Sequence, residues 1–310
     1  MYLFSDLQEK NPDVLNKLVA VNGDVGLVGL GFSADVAEML KNVSVVFHSA
    51  ATVRFDDQLK SAIILNTRGT HEVIKFALTL QNLASFVHVS TTYCYPDQGV
   101  TGEKTYPTHG EWRQAVEIAE TFDTETLEFL MPHITNFSPN SYTYTKALAE
   151  TICEDYRNQI PITIVRLSIV TGTECEPIPG WCDNFNGPVG LLTACGLGIM
   201  RTMYASHKAE LDCVAVDVVA RTLICAGWKC AIDNGKMEWR DGKESNEFRN
   251  DRQLSVYNCA SLHNMTLEFL VYDGQYMVRR YPFEKAVWIP GGGVTLCHVM
   301  NYFRALEGFC

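Results

Sequence analysis

Residues 43–89, VSVVFHSAATVRFDDQLKSAIILNTRGTHEVIKFALTLQNLASFVHV, decide the fold class. The near-continuous apolar run Val43–His48 is typical of a strand covered on both faces, and Ala84–Val89 is a second run of this kind. Leu59–Leu80, between them, has the length and composition of a long helix. A strand, a helix and another strand in this order predict a βαβ unit with parallel strands.

The same alternation continues on both sides of this unit. Before it, Leu18–Asn22 predicts a strand and Asp35–Lys41 a helix. After it, Ser141–Tyr156 predicts a helix, while Ile162–Leu167 and Ser255–Cys259 predict strands. The sequence therefore predicts an α/β fold with a doubly wound parallel sheet.

The pattern becomes less regular after about residue 172, where prolines and glycines interrupt it. An apolar helix near Val189–Met203 is followed by a short strand at Cys213–Val216 and a helix near Asp217–Trp228. The charged stretch Asn234–Asn250 predicts an exposed linker or hairpin.

Composition excludes several classes of protein. The 310 residues are 47% hydrophobic and 20% charged, which is typical of a globular chain. A formal net charge of −11 argues against nucleic-acid binding, because that function needs a basic face. The eleven cysteines are scattered without a CxxC pair, so we expect reduced thiols and no metal site. No apolar run reaches the roughly 18 residues that a transmembrane helix needs.

The glycines of Gly26-Leu-Val-Gly29-Leu-Gly31 suggest a loop that could bind a phosphate group at a helix N-terminus. The spacing is GxxGxG, however, and Asp24 directly follows the predicted strand. The next helix is also short for this purpose. These features favour an ordinary loop, with the phosphate loop as the alternative.

Tyr142-Thr-Tyr-Thr-Lys146 is the strongest local signal of chemistry. Positions i and i+4 share one helix face, so the phenol and the ammonium group can point the same way. A lysine cation about 4 Å away favours the phenolate by about 4 kcal/mol at an effective dielectric constant near 20, before desolvation. The tyrosine then becomes a usable proton donor and acceptor. An exposed amphipathic helix is the alternative interpretation of this spacing.

Residues at two predicted strand ends support the chemical interpretation. Ser90 and Thr91 place hydroxyl groups at the carboxyl end of a parallel strand, where ligands of such sheets bind. The preceding strand ends in small residues, including Ala50 and Ala51, which let a flat cofactor lie close. Asn66 lies inside a predicted helix, where an amide has no propensity advantage; a solvated helix position is the alternative.

Five longer segments carry a resemblance to a known family. They occur in order and are HSAATVRFDDQLKSAIILNTRGTHEVI, FVHVSTTY, NSYTYTKALAE, IVRLSIVTG and PGWCDNFNGPVGLL. Together they resemble the reductase domain of alcohol-forming fatty acyl-CoA reductases, the male-sterility-like branch of the extended short-chain dehydrogenases. The resemblance covers about residues 23–228 and continues more loosely to about residue 290. It implies a Rossmann-like fold, NADPH as cofactor and a long-chain acyl-CoA substrate.

The resemblance also implies catalytic roles. Tyr142 would be the catalytic acid, and Lys146 its partner and a ligand of the nicotinamide ribose. Thr91 would be the hydroxyl member of the triad, with Ser90 beside it as the alternative. Asn66 would support Lys146.

Contacts with NADPH are implied for seven positions. These are Asp24 near the adenine, Ala50 and Ala51 along the cofactor, Ser90 at the strand end, Lys146 at the nicotinamide ribose, and Ser168 and Val170 at the nicotinamide end. The PGWCDN loop and the apolar helix after it would shape the acyl side of the pocket.

The resemblance further implies how the chain is organised. Residues 1–230 would form an incomplete NADP-binding Rossmann-like domain, with substrate segments at about 172–215. Residues 231–290 would complete a smaller α/β region on the substrate side, and residues 291–310 would begin a truncated C-terminal region. Relatives start with a βαβ unit carrying a Gly-x-x-Gly-x-x-Gly loop, which we expect to be lacking here. Relatives also associate with peroxisomal or endoplasmic-reticulum membranes, which would involve parts outside this sequence.

The expected function is reduction of long-chain acyl-CoA to fatty alcohol by two hydride transfers through an aldehyde. One alternative is an extended short-chain dehydrogenase with another substrate, such as a sugar nucleotide or a steroid. The other alternative is a non-catalytic fragment or isoform that acts as a binding or interaction protein. The PGWCDN segment favours the acyl-CoA reductase.

Overall fold

The structure, a computed structural model, describes residues 4–108, 110–136, 138–235, 254–261, 265–289 and 293–306. The α-helices are α1 (Ser5–Lys10), α2 (Ala34–Leu40), α3 (Leu59–Ala62), α4 (Gly69–Ala77), α5 (Trp112–Thr121), α6 (Thr124–Ile134), α7 (Ser141–Tyr156), α8 (Pro188–Gly196), α9 (Val216–Asp233), α10 (Leu267–Arg280) and α11 (His298–Leu306). The strands are β1 (Val45–His48), β2 (Ser85–Thr91), β3 (Ile162–Leu167), β4 (Ile169–Thr171), β5 (Thr202–Tyr204), β6 (Glu210–Leu211), β7 (Cys213–Ala215), β8 (Ser255–Cys259), β9 (Met265–Thr266) and β10 (Gly293–Thr295). Pro12–Lys17 and Val28–Gly31 form 3-10 turns, and a π-helical segment, Ile63–Arg68, joins α3 to α4.

Four parallel strands form the main sheet in the order β1-β2-β3-β8. The register places His48 opposite His88, and Ser90 opposite Arg166. Helices connect each strand to the next, as parallel neighbours require. The predicted parallel α/β sheet is therefore confirmed, including the βαβ unit of residues 43–89.

Helices cover both faces of this sheet. Phe86 packs in one apolar cluster with Ile74 of α4 and Leu148 of α7. Its neighbour Val87 lies on the opposite face, where a Cβ atom at Gly227 of α9 would come within 3.2 Å of it. Because successive strand side chains point to opposite faces, these contacts establish a doubly wound arrangement.

The predicted strand Leu18–Asn22 is wrong, since this segment has no regular secondary structure. Leu18 and Val19 are 64% and 71% exposed. A strand needs backbone hydrogen bonds to a neighbour, and none of the described strands pairs with this segment. β1 is the outermost described strand on its side of the main sheet, with Phe47 46% exposed.

The predicted helix Val189–Met203 is too long, because α8 ends at Gly196 and residues 202–204 form β5. Gly198 has a left-handed backbone (φ 76°), which ends helices. A Cβ atom at Gly198 would lie 2.7 Å from the Cβ atom of Trp288, so packing also requires glycine there. Of the predicted linker Asn234–Asn250, residues 236–250 lie outside the described residues.

The chain divides into two compact units. The first comprises residues 1–167 and 220–259 and contains the main sheet; the second comprises residues 168–219 and 260–310. The second unit contains the parallel pairs β4–β7 and β5–β10 and the antiparallel pair β6–β9. Its apolar core includes Leu267, Leu270 and Val294. The domain limits drawn from the sequence stay a prediction.

Candidate active site

Tyr142 and Thr91 meet where β2 ends and α7 begins. The Asn140 side chain accepts a hydrogen bond from the Thr143 amide (2.9 Å), an N-cap that fixes the start of α7. Tyr142 therefore lies in the first turn, where the neighbouring Thr91 hydroxyl acts to lower its pKa. The Phe55 ring lies 5.6 Å from the Tyr142 ring, centroid to centroid. The structure thus brings together the two hydroxyl groups that the sequence singles out.

Lys146 lies one turn further along α7 and is only 4% exposed. Its ammonium group donates a hydrogen bond to the carbonyl oxygen of Val89 (2.6 Å). Burial lowers the pKa of Lys146 to about 8, while the Glu150 carboxylate acts in the opposite direction. A buried cation therefore lies against the last residues of β2.

The expectation that Lys146 lowers the pKa of Tyr142 is wrong for this arrangement. Burial raises the pKa of Tyr142, and its hydrogen bond with Thr91 only partly offsets this effect. The Lys146 ammonium group instead donates to the strand backbone. Tyr142 is consequently a protonated acid at neutral pH, which suits a proton donor.

Asn66 connects the segment after β1 to α7. Its Oδ1 accepts from the Thr52 amide (2.9 Å), and its Nδ2 donates to the Thr52 carbonyl (3.2 Å) and to Oγ1 of Thr145 (3.0 Å). Asn66 is 1% exposed, so the solvated alternative is wrong. It lies in the π-helical segment, a distortion that is frequent at functional sites. Because Thr145 precedes Lys146, Asn66 helps to fix this part of α7.

The remaining predicted residues of the first unit differ in their surroundings. Ala50 is exposed and Ala51 half-buried, directly before the Thr52 backbone that Asn66 holds. Ser90 is buried, and its hydroxyl donates to Oε1 of Glu150 (2.6 Å). Ser90 therefore bonds into the interior, whereas the Thr91 hydroxyl lies beside Tyr142.

A buried ion pair beneath the site was not predicted. Glu150 and Arg166 both have fully buried side chains and share two hydrogen bonds, Nε–Oε1 (2.9 Å) and Nη2–Oε2 (2.7 Å). Tyr95 also donates to Oε2 of Glu150 (2.9 Å). The signal in the sequence is an arginine inside the apolar run ITIVRL, because a buried strand cation requires a partner.

Asp24 and the glycine loop lie apart from these contacts. The exposed Asp24 carboxylate accepts a hydrogen bond from the Gly26 amide (2.7 Å). The Gly29 amide donates to Oε2 of Glu72 on α4 (2.7 Å). Carboxylates thus occupy two of the amides that would have to face a phosphate, which supports the ordinary-loop interpretation. An adenine contact by Asp24 stays a prediction.

Ser168 and Val170 belong to the second unit. Ser168 is buried, and Val170 pairs with Val214 in the β4–β7 ladder. In the same unit the Asp217 carboxylate accepts from the amides of Glu174 (2.9 Å) and of the two residues that follow. These hydrogen bonds lower the pKa of Asp217 and hold the loop that leads to PGWCDN. The assignment of Ser168 and Val170 to the nicotinamide stays a prediction.

The described residues contain no cluster of three or more His, Cys, Asp or Glu side chains placed to hold a metal ion. None of the described helices is long and apolar enough to cross a membrane.

Comparison with known proteins identifies similar sequences. Residues 2–223 match the family model described as male sterility protein. Fatty acyl-CoA reductase 1 of Mus musculus is 35% identical over 306 residues, which are 97% of this chain and 56% of that protein. Fatty acyl-CoA reductase wat of Drosophila melanogaster is 38% identical over 230 residues, covering 74% of this chain and 44% of that protein. The chain spans about half the length of these curated relatives.

Solved structures share the fold at low sequence identity. The terminal R domain of the myxalamid PKS-NRPS pathway has a TM-score of 0.58 at 19% identity, covering 92% of this chain and 57% of that one. UDP-glucuronic acid 4-epimerase of Bacillus cereus, solved with NAD, has a TM-score of 0.54 at 14% identity, covering 94% and 74%. These likenesses confirm the Rossmann-like α/β fold. Because the family model matches well over half of the sequence, the chain belongs to the male sterility protein family, as its resemblance to fatty acyl-CoA reductases predicts.

Proposed function

We propose that this protein is a nicotinamide-dependent reductase that uses NADPH to convert long-chain fatty acyl-CoA to fatty alcohol through an aldehyde. The observation that carries the proposal is the grouping of the Tyr142 and Thr91 hydroxyls at the carboxyl end of β2, with Lys146 buried one turn along α7 and bonded to the Val89 carbonyl. Relatives named fatty acyl-CoA reductases support the substrate class.

The residues present fit one end of the cofactor. The Lys146 ammonium group and the hydroxyls of Tyr142 and Thr91 are suitable partners for ribose hydroxyls and a carbonyl oxygen. Ala50 is exposed after β1 and has only a methyl group, so a flat ring can approach the backbone there. NADPH, when bound, supplies the hydride. The glycine loop does not fit the diphosphate, because its Gly26 and Gly29 amides already bond to carboxylates.

The site residues would act on the substrate oxygen. Tyr142 and Thr91 hydrogen-bond the oxygen on which negative charge develops, the role of an oxyanion hole. In the first reduction the carbon–sulfur bond breaks, CoA leaves as its thiolate and an aldehyde forms. In the second, the aldehyde oxygen takes the proton of Tyr142. The Thr91 hydroxyl then stabilises the phenolate until it is reprotonated from solvent.

Product analysis tests this proposal directly. Purified chain is incubated with hexadecanoyl-CoA and either NADPH or NADH, and the lipids are identified by gas chromatography with mass spectrometry. We expect hexadecanol, formed faster with NADPH, with two molecules of NADPH oxidised for each alcohol. Hexadecanal as the final product would contradict the alcohol-forming reaction. Faster reaction with NADH would contradict the cofactor preference.

A non-catalytic binding role is the second candidate, and the occupied amides of the glycine loop favour it. NADPH titration by calorimetry distinguishes the two: absence of NADPH binding supports the non-catalytic role, because a reductase must bind its cofactor. Activity on a sugar nucleotide or steroid, tested in the same assay, would support the other dehydrogenase class. Location at a peroxisomal or endoplasmic-reticulum membrane is also a proposal, supported by the family resemblance alone.

A further inference from the structure

Three buried charges lie side by side beneath the candidate site. Lys146 and Glu150 are four residues apart on α7, so they share the helix face that covers β2. Lys146 donates to the Val89 carbonyl and Glu150 accepts from the Ser90 hydroxyl, two successive residues of β2. Arg166 lies opposite Ser90 in the sheet register and bonds Glu150 from β3. The order across the site is therefore cation, anion, cation.

The surroundings hold the Glu150–Arg166 pair in one geometry. Glu150 accepts hydrogen bonds from Ser90 (2.6 Å), Tyr95 (2.9 Å) and Arg166. Arg166 also donates to the carbonyl oxygens of Gly102 (2.9 Å) and Lys104 (2.8 Å). With both side chains at 0% exposure, solvent screens their charges little. The positions of these two charges are consequently fixed, and the Glu150 carboxylate acts to raise the pKa of Lys146.

The other titratable groups that face Lys146 are uncharged at neutral pH. They are His48 on β1, His88 on β2, Cys94 after β2 and Cys153 on α7. Burial lowers the pKa of both imidazoles, that of His48 to about 3. Burial raises the pKa of both thiols. Among the described residues around Lys146, Glu150 and Arg166 are therefore the two that carry a charge.

We propose that Glu150 and Arg166 are positioning residues for Lys146: Glu150 keeps the ammonium group charged and directed at the end of β2, and Arg166 limits that attraction. A carboxylate one helical turn away favours the lysine cation, which burial opposes. Without Arg166, Glu150 would draw the ammonium group away from the Val89 carbonyl and into an ion pair. The kinetic consequences rest on the proposed function, whereas the charge of Lys146 does not.

Two single replacements test this proposal, because they should shift the pKa of Lys146 in opposite directions. Glu150→Gln leaves the Arg166 cation without its partner near Lys146, so the pKa of Lys146 falls. Arg166→Met leaves the Glu150 carboxylate to Lys146 alone, so the pKa of Lys146 rises. We expect each shift to be on the order of one unit. A merely structural role predicts loss of stability in both variants, with no opposite shifts.

The measurement is NMR titration of protein labelled with ¹³C at the lysine Cε atoms, with the Lys146 signal assigned by its loss in Lys146→Met. Asp155→Asn is the matched control, because it removes one negative charge from the exposed end of the same helix. Opposite shifts in Glu150→Gln and Arg166→Met, with none in Asp155→Asn, would support the proposal. Equal titration in all variants, or shifts of the same sign, would overturn it.

A double variant covers the case in which Arg166→Met does not fold. In Glu150→Gln/Arg166→Met both charges are absent, so Lys146 should titrate at a higher pH than in Glu150→Gln alone. Equal titration of these two variants would overturn the role of Arg166. The alkaline limb of kcat/KM should move with the NMR shifts in each active variant. Opposite NMR shifts in protein that forms no alcohol would contradict the proposed function and leave the inference intact.

Discussion

The end of β2 and the glycine loop at residues 26–31 differ in how their polar groups are hydrogen-bonded. At the end of β2, buried polar groups bond across elements: Asn66 to Thr145 on α7, and Glu150 to Arg166 on β3. The glycine loop lies mostly at the surface; its Gly26 amide bonds to Asp24, two residues away, and its Gly29 amide makes a single bond to Glu72 on α4. Buried groups held from several elements cannot easily rearrange, so a site of fixed geometry is expected at β2 and not in the loop.

The largest difference between the two regions should appear when the buried ion pair is broken. Arg166→Met removes both hydrogen bonds from the guanidinium group to the buried Glu150 carboxylate, and the Lys146 ammonium group replaces them only in part. We expect this variant to lower the free energy of unfolding by about 3–5 kcal/mol. The double variant Glu150→Gln/Arg166→Met should recover most of this loss, because the Glu150 charge is then absent as well. Urea unfolding of the three proteins checks both statements. A double variant less stable than Arg166→Met would contradict them.

The buried Lys146 at the end of β2 should make the free energy of unfolding depend on pH. Its pKa is lowered from 10.5 to about 8 in the fold, so between these values the unfolded chain binds more protons. The contribution of Lys146 to the free energy of unfolding should therefore rise with pH through this window, by on the order of 3 kcal/mol. The buried thiols of Cys94 and Cys153, whose pKa is raised, act in the opposite direction, so the contribution is obtained as the difference between wild type and Lys146→Met in urea unfolding from pH 7 to 10.5. Lys75→Met, which removes a half-exposed lysine of α4, should follow wild type.

Asn66 tests the hydrogen bonds that join the segment after β1 to α7. Asn66→Ala leaves the backbone of Thr52 and the Thr145 hydroxyl without this partner, and we expect it to cost about 2 kcal/mol. Asn66→Asp, which keeps the acceptor for the Thr52 amide, should cost less at low pH, where the carboxyl group is neutral. Thermal unfolding at two pH values compares them. Equal stability of Asn66→Ala and wild type would show that these bonds contribute nothing.

The smallest effect is expected in the glycine loop. Gly29 has φ 64° with no neighbouring atom within 4 Å of an added Cβ, so Gly29→Ala meets backbone strain alone. We expect it to lower stability by about 1 kcal/mol and to leave the dissociation constant of NADPH unchanged. Calorimetric titration with NADPH checks the second statement. A large loss of NADPH affinity would make this loop a phosphate site after all.

Features that depend on nearby residues were predictable from the sequence. The apolar runs at residues 43–48 and 84–89 identified adjacent parallel strands, and the i, i+4 spacing placed Tyr142 and Lys146 on one helix. These signals come from residues close together in the chain. Only the register between the strands depends on the assembled sheet. The family resemblance, and not the two hydroxyls themselves, favoured Thr91 over Ser90; Thr91 lies beside Tyr142, whereas Ser90 donates to Glu150.

Features that depend on distant partners were not predictable. The Leu18–Asn22 run has strand-like composition, yet whether it becomes a strand depends on a neighbour that its own residues do not specify. α8 ends early because Gly198 packs against Trp288, far along the chain. The pKa of Tyr142 is raised because packing buries the phenol, a property that the Tyr-x-x-x-Lys spacing does not contain.

The most direct test of the central claim is hexadecanol formation by Tyr142→Phe compared with Tyr144→Phe. Both variants lose one hydroxyl from α7, and Tyr144 is also buried but does not take part in the proposed chemistry. Loss of a general acid typically costs about 10²–10⁴-fold in rate. We expect Tyr142→Phe to lose at least about 10²-fold in kcat with its unfolding temperature unchanged, and Tyr144→Phe to keep wild-type kcat. Wild-type kcat in Tyr142→Phe would contradict the assignment of this site.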